Sequence, residues 1–149
     1  MKVRDIMETE VVTVRVDATY EEAARTLHEC GCGSAPVTDG AGKLVGMVSE
    51  RDLFRILFPF YRSFYENPEL YVDFENREGK IEEVKAKPVS LFMTREVAYV
   101  TPEMPIMRAG SLILARQVRR LPVVDAGRIV GAVTWKRIYE ELVKTRFGL

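Results

Sequence analysis

Gly46-Met47-Val48-Ser49-Glu50-Arg51-Asp52 is the segment whose residue types and spacing best suit chemistry. A glycine lets the backbone come close to a ligand. Ser49 falls where a helix N-cap is expected, and Asp52 at the third helical position. A carboxylate there can accept two hydrogen bonds from the vicinal hydroxyls of a ribose, which a cleft must satisfy once it buries them. The same pair also reads as a plain capping box, with an acid favoured by the helix dipole. A second segment, Gly131-Ala132-Val133-Thr134-Trp135-Lys136-Arg137, keeps the hydroxyl but puts Arg137 where Asp52 stood. Arginine cannot accept a hydrogen bond from ribose. With Lys136 it sets two cations at the positive end of a helix dipole, an arrangement that suits a nearby phosphate or simple solvated cations.

Other chemistry finds less support. His28-x-Cys30-x-Cys32 brings an imidazole and two thiols together, yet a closed zinc site needs four ligands and His28 is the chain's only histidine. No metal site is expected. The cysteines read as small, reduced, packed residues at a helix end stopped by Gly31 and Gly33. The histidine has no evident nucleophile partner and no phosphate-loop motif is present, so no catalytic residue is assigned.

The two junctions are positioned by a repeat. At an offset of 86, Val3 meets Val89, Met7 meets Met93, Val14 meets Val100, Ala23 meets Ala109, Pro36 meets Pro122 and Asp39 meets Asp125. After one deleted turn residue the offset is 85, and Gly46 meets Gly131 and Val48 meets Val133. Each copy has a short lead-in (Val3 to Met7, Val89 to Met93) and a β-branched strand near Val11–Val14 or Val97–Val100. A helix follows, opened in the first copy by the capping box Thr19-x-x-Glu22. Next come two strands (Ala35–Thr38 and Leu44–Val48; Leu121–Val124 and Ile129–Val133) and a last helix from Ser49 or Thr134. The expected class is α/β (α+β): two β-α-β-β-α repeats packed sheet to sheet with pseudo-twofold symmetry, because about 50 residues bury too little surface alone.

VRDIM at the start, SAPVTD and RLPVVD on the second strands, and GMVSERD and GAVTWKR at the junctions closely resemble the CBS (cystathionine-β-synthase-type) domain pair, or Bateman module. The resemblance implies a cleft between repeats that binds AMP, ADP, ATP or S-adenosylmethionine, and a homodimer forming a flat four-CBS disc. It gives Ser49 and Asp52 the ribose, and sets them opposite the strand entry Arg119, Arg120, Leu121 and Pro122. Arg120 and Lys136 would neutralise phosphate, and Met47, Met104 and Ala109 would enclose adenine. A second, weaker cleft would comprise Ser34, Ala35, Pro36, Arg51, Thr134 and Arg137. TWKR after RRLPVVD is similar to one repeat of the γ regulatory subunit of AMP-activated protein kinase, which favours AMP as the regulatory ligand, with ADP or ATP as alternatives. The rival reading is a protein-interaction or dimerisation module with vestigial clefts, or a binder of S-adenosylmethionine.

The sequence divides into CBS domain 1 (1–58), an aromatic-rich, largely helical connection (59–87) and CBS domain 2 (88–149). Phe58, Phe60, Tyr61, Phe64, Tyr65, Tyr71 and Phe74 lie at or inside that connection, seven of the 13 Phe and Tyr residues. An extra core cluster covering the domain is one use for them, and a homodimer contact or a ligand lid another. Basic and acidic side chains balance at 22 each, so no nucleic-acid footprint shows globally. However, Arg108 to Arg146 holds nine Lys and Arg against Asp125, Glu140 and Glu141. MKVRDIM lacks the apolar stretch of a signal peptide, and no run approaches a membrane span. A cytoplasmic module with an unnamed regulated partner is expected.

Overall fold

The computed structural model describes residues 1–58 and 78–149. In chain order its elements are α1 (Val3–Ile6), β1 (Val14–Arg15), α2 (Tyr20–Cys30), β2 (Ser34–Thr38), β3 (Leu44–Ser49), α3 (Glu50–Arg55), α4 (Lys80–Val84), a 3₁₀ turn (Val89–Leu91), α5 (Ile106–Arg116), β4 (Arg120–Asp125), β5 (Arg128–Thr134) and α6 (Trp135–Phe147). They form two compact units, and neither is contiguous. One comprises Val12–Gly40 and Val45–Arg95, the other Met1–Val11, Ala41–Leu44 and Glu96–Leu149.

In the first of these units the sheet runs in the order β1-β2-β3, with β1 parallel to β2 and Val14 opposite Val37. The Thr19 capping box forms as expected: the Thr19 hydroxyl accepts from the Glu22 amide (3.2 Å), and the Glu22 carboxylate accepts from the Thr19 amide (3.1 Å). The two intervening amides would be orphans. They find the chain after α4, Tyr20 donating to the Lys87 carbonyl (2.8 Å) and Glu21 to that of Lys85 (3.1 Å). Tyr20, Ala23 and Leu27 of α2 face Ala35, Val37, Val48, Leu53, Val84 and Val89. The Tyr20 hydroxyl donates to the Leu53 carbonyl (2.8 Å) and its ring meets Phe92 edge-on, centroids 5.4 Å apart. Burial pushes this phenol above its ordinary pKa. Phe54 and Phe58 have ring centroids 4.8 Å apart beyond Leu53. Helical spacing in the sequence would put Tyr61 and Tyr65 on the same face as Phe54 and Phe58, but both lie outside the described residues.

The other unit repeats this plan at the sequence offset. Ile106, Ala109 and Ile113 of α5 occupy the places of Tyr20, Ala23 and Leu27, and pack with Val3, Ile6, Leu121, Val123, Val133 and Ile138. β4 is antiparallel to β5, with Arg120 opposite Thr134 and Pro122 opposite Ala132. The strand expected at Val97–Val100 shrinks to a single bridge, Val100 to Val123, equivalent to Val14 on Val37.

Each unit takes its lead-in from the other repeat. Val89 donates to the Ala18 carbonyl (2.7 Å), and Met47 and Thr94 exchange a pair of backbone bonds (2.9 and 2.8 Å). In the other unit Val3 donates to the Met104 carbonyl (2.8 Å), and Glu8 and Ala132 exchange a pair (both 2.9 Å). Gly46 and Gly131 make this approach possible. A Cβ on Gly46 would lie 2.8 Å from Met93 Sδ and 2.9 Å from the Thr94 carbonyl oxygen; one on Gly131 would lie 2.6 Å from the Glu8 carbonyl oxygen and 3.0 Å from Met7 Sδ. The sequence suggested that Gly46 admits a ligand. What comes close is instead the protein's own backbone.

Gly131→Ala should therefore destabilise the protein by about 1–3 kcal/mol or more, since a carbonyl cannot yield as a side-chain tip can. Gly110→Ala, inside α5 with its nearest neighbour atom at 3.7 Å, should instead stabilise by about 0.5–1 kcal/mol. Urea unfolding measures both, and a neutral Gly131→Ala would contradict the packing of the lead-in on β5.

Glu103 adds an electrostatic clasp on the same lead-in, accepting from Lys2 Nζ (2.6 Å) and from Arg4 (2.5 Å). The hydrogen bond from Lys2 and the charge of Arg4 outweigh desolvation and hold this carboxyl below its ordinary pKa. The folded state thus favours the charged form, so the stabilisation is complete above the ordinary carboxylate range and fades as pH falls through the depressed pKa. Glu103→Gln should melt lower than the parent at neutral pH, with the gap closing in acid; a gap independent of pH would contradict the clasp.

Candidate functional site

Ser49 closes β3 and caps α3. Its hydroxyl accepts from the Asp52 amide (3.0 Å), while Asp52 Oδ2 accepts from the Ser49 amide (2.9 Å). The capping box is therefore real, and it occupies one carboxylate oxygen. Among the described residues no donor meets Asp52 Oδ1, and an ionised carboxylate has about four acceptor sites. Capping and holding a hydroxylated ligand are thus compatible at this half-buried residue. The first amide of α3, on Glu50, donates to the Gly33 carbonyl (2.9 Å), which ties the entry of β2 to the head of the helix. Met47, half-buried and two residues before Ser49, shares its face of β3. Ser34 is half-buried at the start of β2, Ala35 and Pro36 are buried, and Arg51 is exposed.

The equivalent junction in the other unit has different chemistry. Thr134 Oγ1 accepts from the Arg137 amide (3.1 Å). Arg137 Nε donates to the Ile6 carbonyl at the end of α1 (3.2 Å), and its guanidinium pairs with Glu141 (3.2 Å). Lys136 lies 3.9 Å from Glu140 and is largely exposed. Of the two readings of these cations, phosphate site or solvated surface, neither is needed to offset them: acids one turn along α6 supply negative charge, and Arg137 seats the lead-in. Arg119 and Arg120 remain without an ion-pair partner among the described residues. Arg120 is half-buried opposite Thr134, and the Arg119 carbonyl accepts from the Trp135 amide (3.2 Å). Leu121 and Pro122 are buried, Met104 is half-buried against the core, and Ala109 is fully buried within it. An alanine with no exposed surface packs protein, so Ala109 has no face to offer adenine.

Packing thus gathers Met47, Ser49, Asp52 and Ser34 to Pro36 in one unit, and Met104, Ala109, Arg119 to Pro122, Thr134, Lys136 and Arg137 in the other. Sequence reasoning passed over Trp135, which stands between Thr134 and Lys136 with 51% of its surface exposed. Its signal was available, since it is the chain's single tryptophan and an exposed indole is a stacking surface. The cysteines were misread as reduced: Cys30 and Cys32 are joined by a disulfide. Bonded to each other, their sulfurs are not thiolate ligands. Among the described residues no group of three His, Cys, Asp or Glu side chains could hold a metal ion.

A family model for the CBS domain matches twice, at residues 3–59 and 86–144. The chain belongs to the CBS domain family. The two CBS repeats are found alone and inside much larger proteins. The chain is 29% identical over 134 residues to the A-adding tRNA nucleotidyltransferase of Aquifex aeolicus but spans only 13% of that protein's length. With the CBS domain-containing protein YhcV of Bacillus subtilis it shares 32% identity over 131 residues, 88% of this chain and 78% of the relative. Among solved structures, CBSX2 from Arabidopsis thaliana is 27% identical with a TM-score of 0.77, covering 98% of this chain and 96% of its own. CBSX2 in complex with AMP superposes with a TM-score of 0.73 at the same identity, covering 97% and 98%.

In the second CBS repeat, Arg137→Ala removes a charged donor from the Ile6 carbonyl and should cost about 0.5–1.5 kcal/mol, discounted for partial exposure. A thermal melt unchanged by this substitution would return Arg137 to the role of a free surface cation.

Proposed function

We propose that this chain is a regulatory module that binds an adenosine nucleotide, AMP foremost with ADP or ATP as alternatives, and catalyses nothing itself. The observation that carries the reading is Asp52, a half-buried carboxylate fixed by its own capping box, whose other oxygen meets no donor among the described residues. The likeness to CBSX2, whose crystal structure contains AMP, supports an adenosine ligand. Arg119 and Arg120, cations with no ion pair among the described residues, are suited to phosphate, and exposed Trp135 to a base. Regulation would follow by linkage, a ligand shifting the population toward the arrangement it binds better. A cytoplasmic homodimer in the form of a four-CBS disc belongs to the same proposal. No helix among the described residues is long and apolar enough to cross a membrane.

A second reading, a protein-interaction module, draws on Met107, Leu114, Tyr139 and Phe147, large apolar side chains exposed on α5 and α6. Calorimetric titration of nucleotide-stripped protein with AMP, ATP and S-adenosylmethionine separates the two. Binding of AMP near one per chain is expected, weakened at least about tenfold in Asp52→Ala by loss of a charged acceptor. That variant also loses about 1 kcal/mol of helix capping, so its fold must be checked by circular dichroism. Absence of heat and of thermal shift with all three compounds would leave the second reading.

A further inference from the structure

We propose that Cys30-Gly31-Cys32 is a reversible thiol–disulfide exchange site, whose substrate class is a dithiol, coupled to the head of α3. The disulfide closes the turn between the last residue of α2 and the approach to β2. A ring spanning three residues removes little freedom from the unfolded chain, so this bond is a poor staple. The second repeat shows that the fold does not need it. There Arg116, Gln117 and Val118 occupy the same places; Gln117 takes the left-handed conformation of Gly31 (φ 54 against 62), and the Arg119 carbonyl meets Trp135 as the Gly33 carbonyl meets Glu50. The two turns part only at the next residue, where Gly33 has φ 72 and Arg119 has no positive φ. What the sulfur pair adds is therefore chemistry. Both cysteines are partly exposed and flanked by exposed His28, Glu29, Gly31 and Gly33, which leaves the bond open to attack.

The backbone also assigns the leaving group. The Cys32 amide lies 3.2 Å from Cys30 Sγ and can stabilise charge on that sulfur. An incoming thiolate forms a bond to Cys32 Sγ while the disulfide pair leaves on Cys30, which takes a proton. The second thiolate of the reductant then attacks its own sulfur in the mixed disulfide and releases Cys32, also protonated. Two electrons and two protons enter the protein, and the dithiol departs as a cyclic disulfide. Because Gly33 follows Cys32 directly and its carbonyl holds the Glu50 amide, reduction frees the turn that ties β2 to α3. None of this depends on nucleotide binding.

The test treats the native full-length chain with graded dithiothreitol, quenches with an alkylating agent and counts adducts by mass, following Glu50 amide exchange by NMR. Two adducts should appear together without unfolding, and none should form when the dithiothreitol is removed and oxidised glutathione re-forms the bond before the alkylating quench. The melting temperature should fall by no more than about 5 °C, and Glu50 should exchange several-fold faster in the reduced state. Cys30→Ser should give one adduct without dithiothreitol and show the fast Glu50 exchange. Alkylation that requires denaturant, or two adducts in air-oxidised protein before any reductant, would overturn the exchange site. Equal Glu50 exchange in the two states would overturn its coupling to α3.

Discussion

The architecture depends on how closely backbone can approach Gly46 and Gly131. At both positions a side chain as small as a methyl would collide with the carbonyl of the residue after a lead-in methionine. The glycines admit the lead-ins, and the lead-ins then complete their units. Val3 and Val89 enter the cores with no exposed surface. The Met1 and Lys87 carbonyls accept from the first amides of α5 and α2 (3.2 and 2.8 Å), so helix capping at one end and strand pairing at the other are done by the same short segments.

With that frame fixed twice, the chemistry was free to differ between copies. Asp52 and Arg137 stand at the same point of the same helix start. The acid bonds back to its own cap, and no donor among the described residues meets its other oxygen. The base reaches Ile6 and Glu141 and is consumed by structure. One position thus holds a hydrogen-bond acceptor in one repeat and a donor that serves as a packing tie in the other, and the difference is one of hydrogen-bond polarity.

Much of this was legible in the chain. The offset of 86, and of 85 past the shortened turn, aligned α2 with α5, β2 with β4, β3 with β5 and α3 with the start of α6, and Thr19, Ser49 and Thr134 marked helix starts that the structure places at those residues. Local signals sufficed there because capping is a matter of three or four neighbouring residues. The partner of a lead-in is a different kind of fact. Val89 and Ala18 are 71 positions apart, and no periodicity within either segment records their pairing. For the same reason Gly46 was read as space for a ligand, and the reach of Arg137 to Ile6 was not foreseen. Cys30 and Cys32 read as reduced, packed residues, because residue type and spacing alone say nothing of whether two neighbouring sulfurs bond. The aromatic residues from Phe60 to Phe74 lie outside the described residues, so their role is still read from sequence alone.

The exchanged lead-ins bear on how such a chain could have arisen. A gene encoding a single copy would yield a protein whose first eight residues belong on another molecule, and two identical chains could satisfy each other only by trading them, as a swapped dimer does. Tandem duplication makes that trade intramolecular and independent of protein concentration. Thereafter each half is answerable for the shape of the other, while its ligand chemistry is its own to lose or to change.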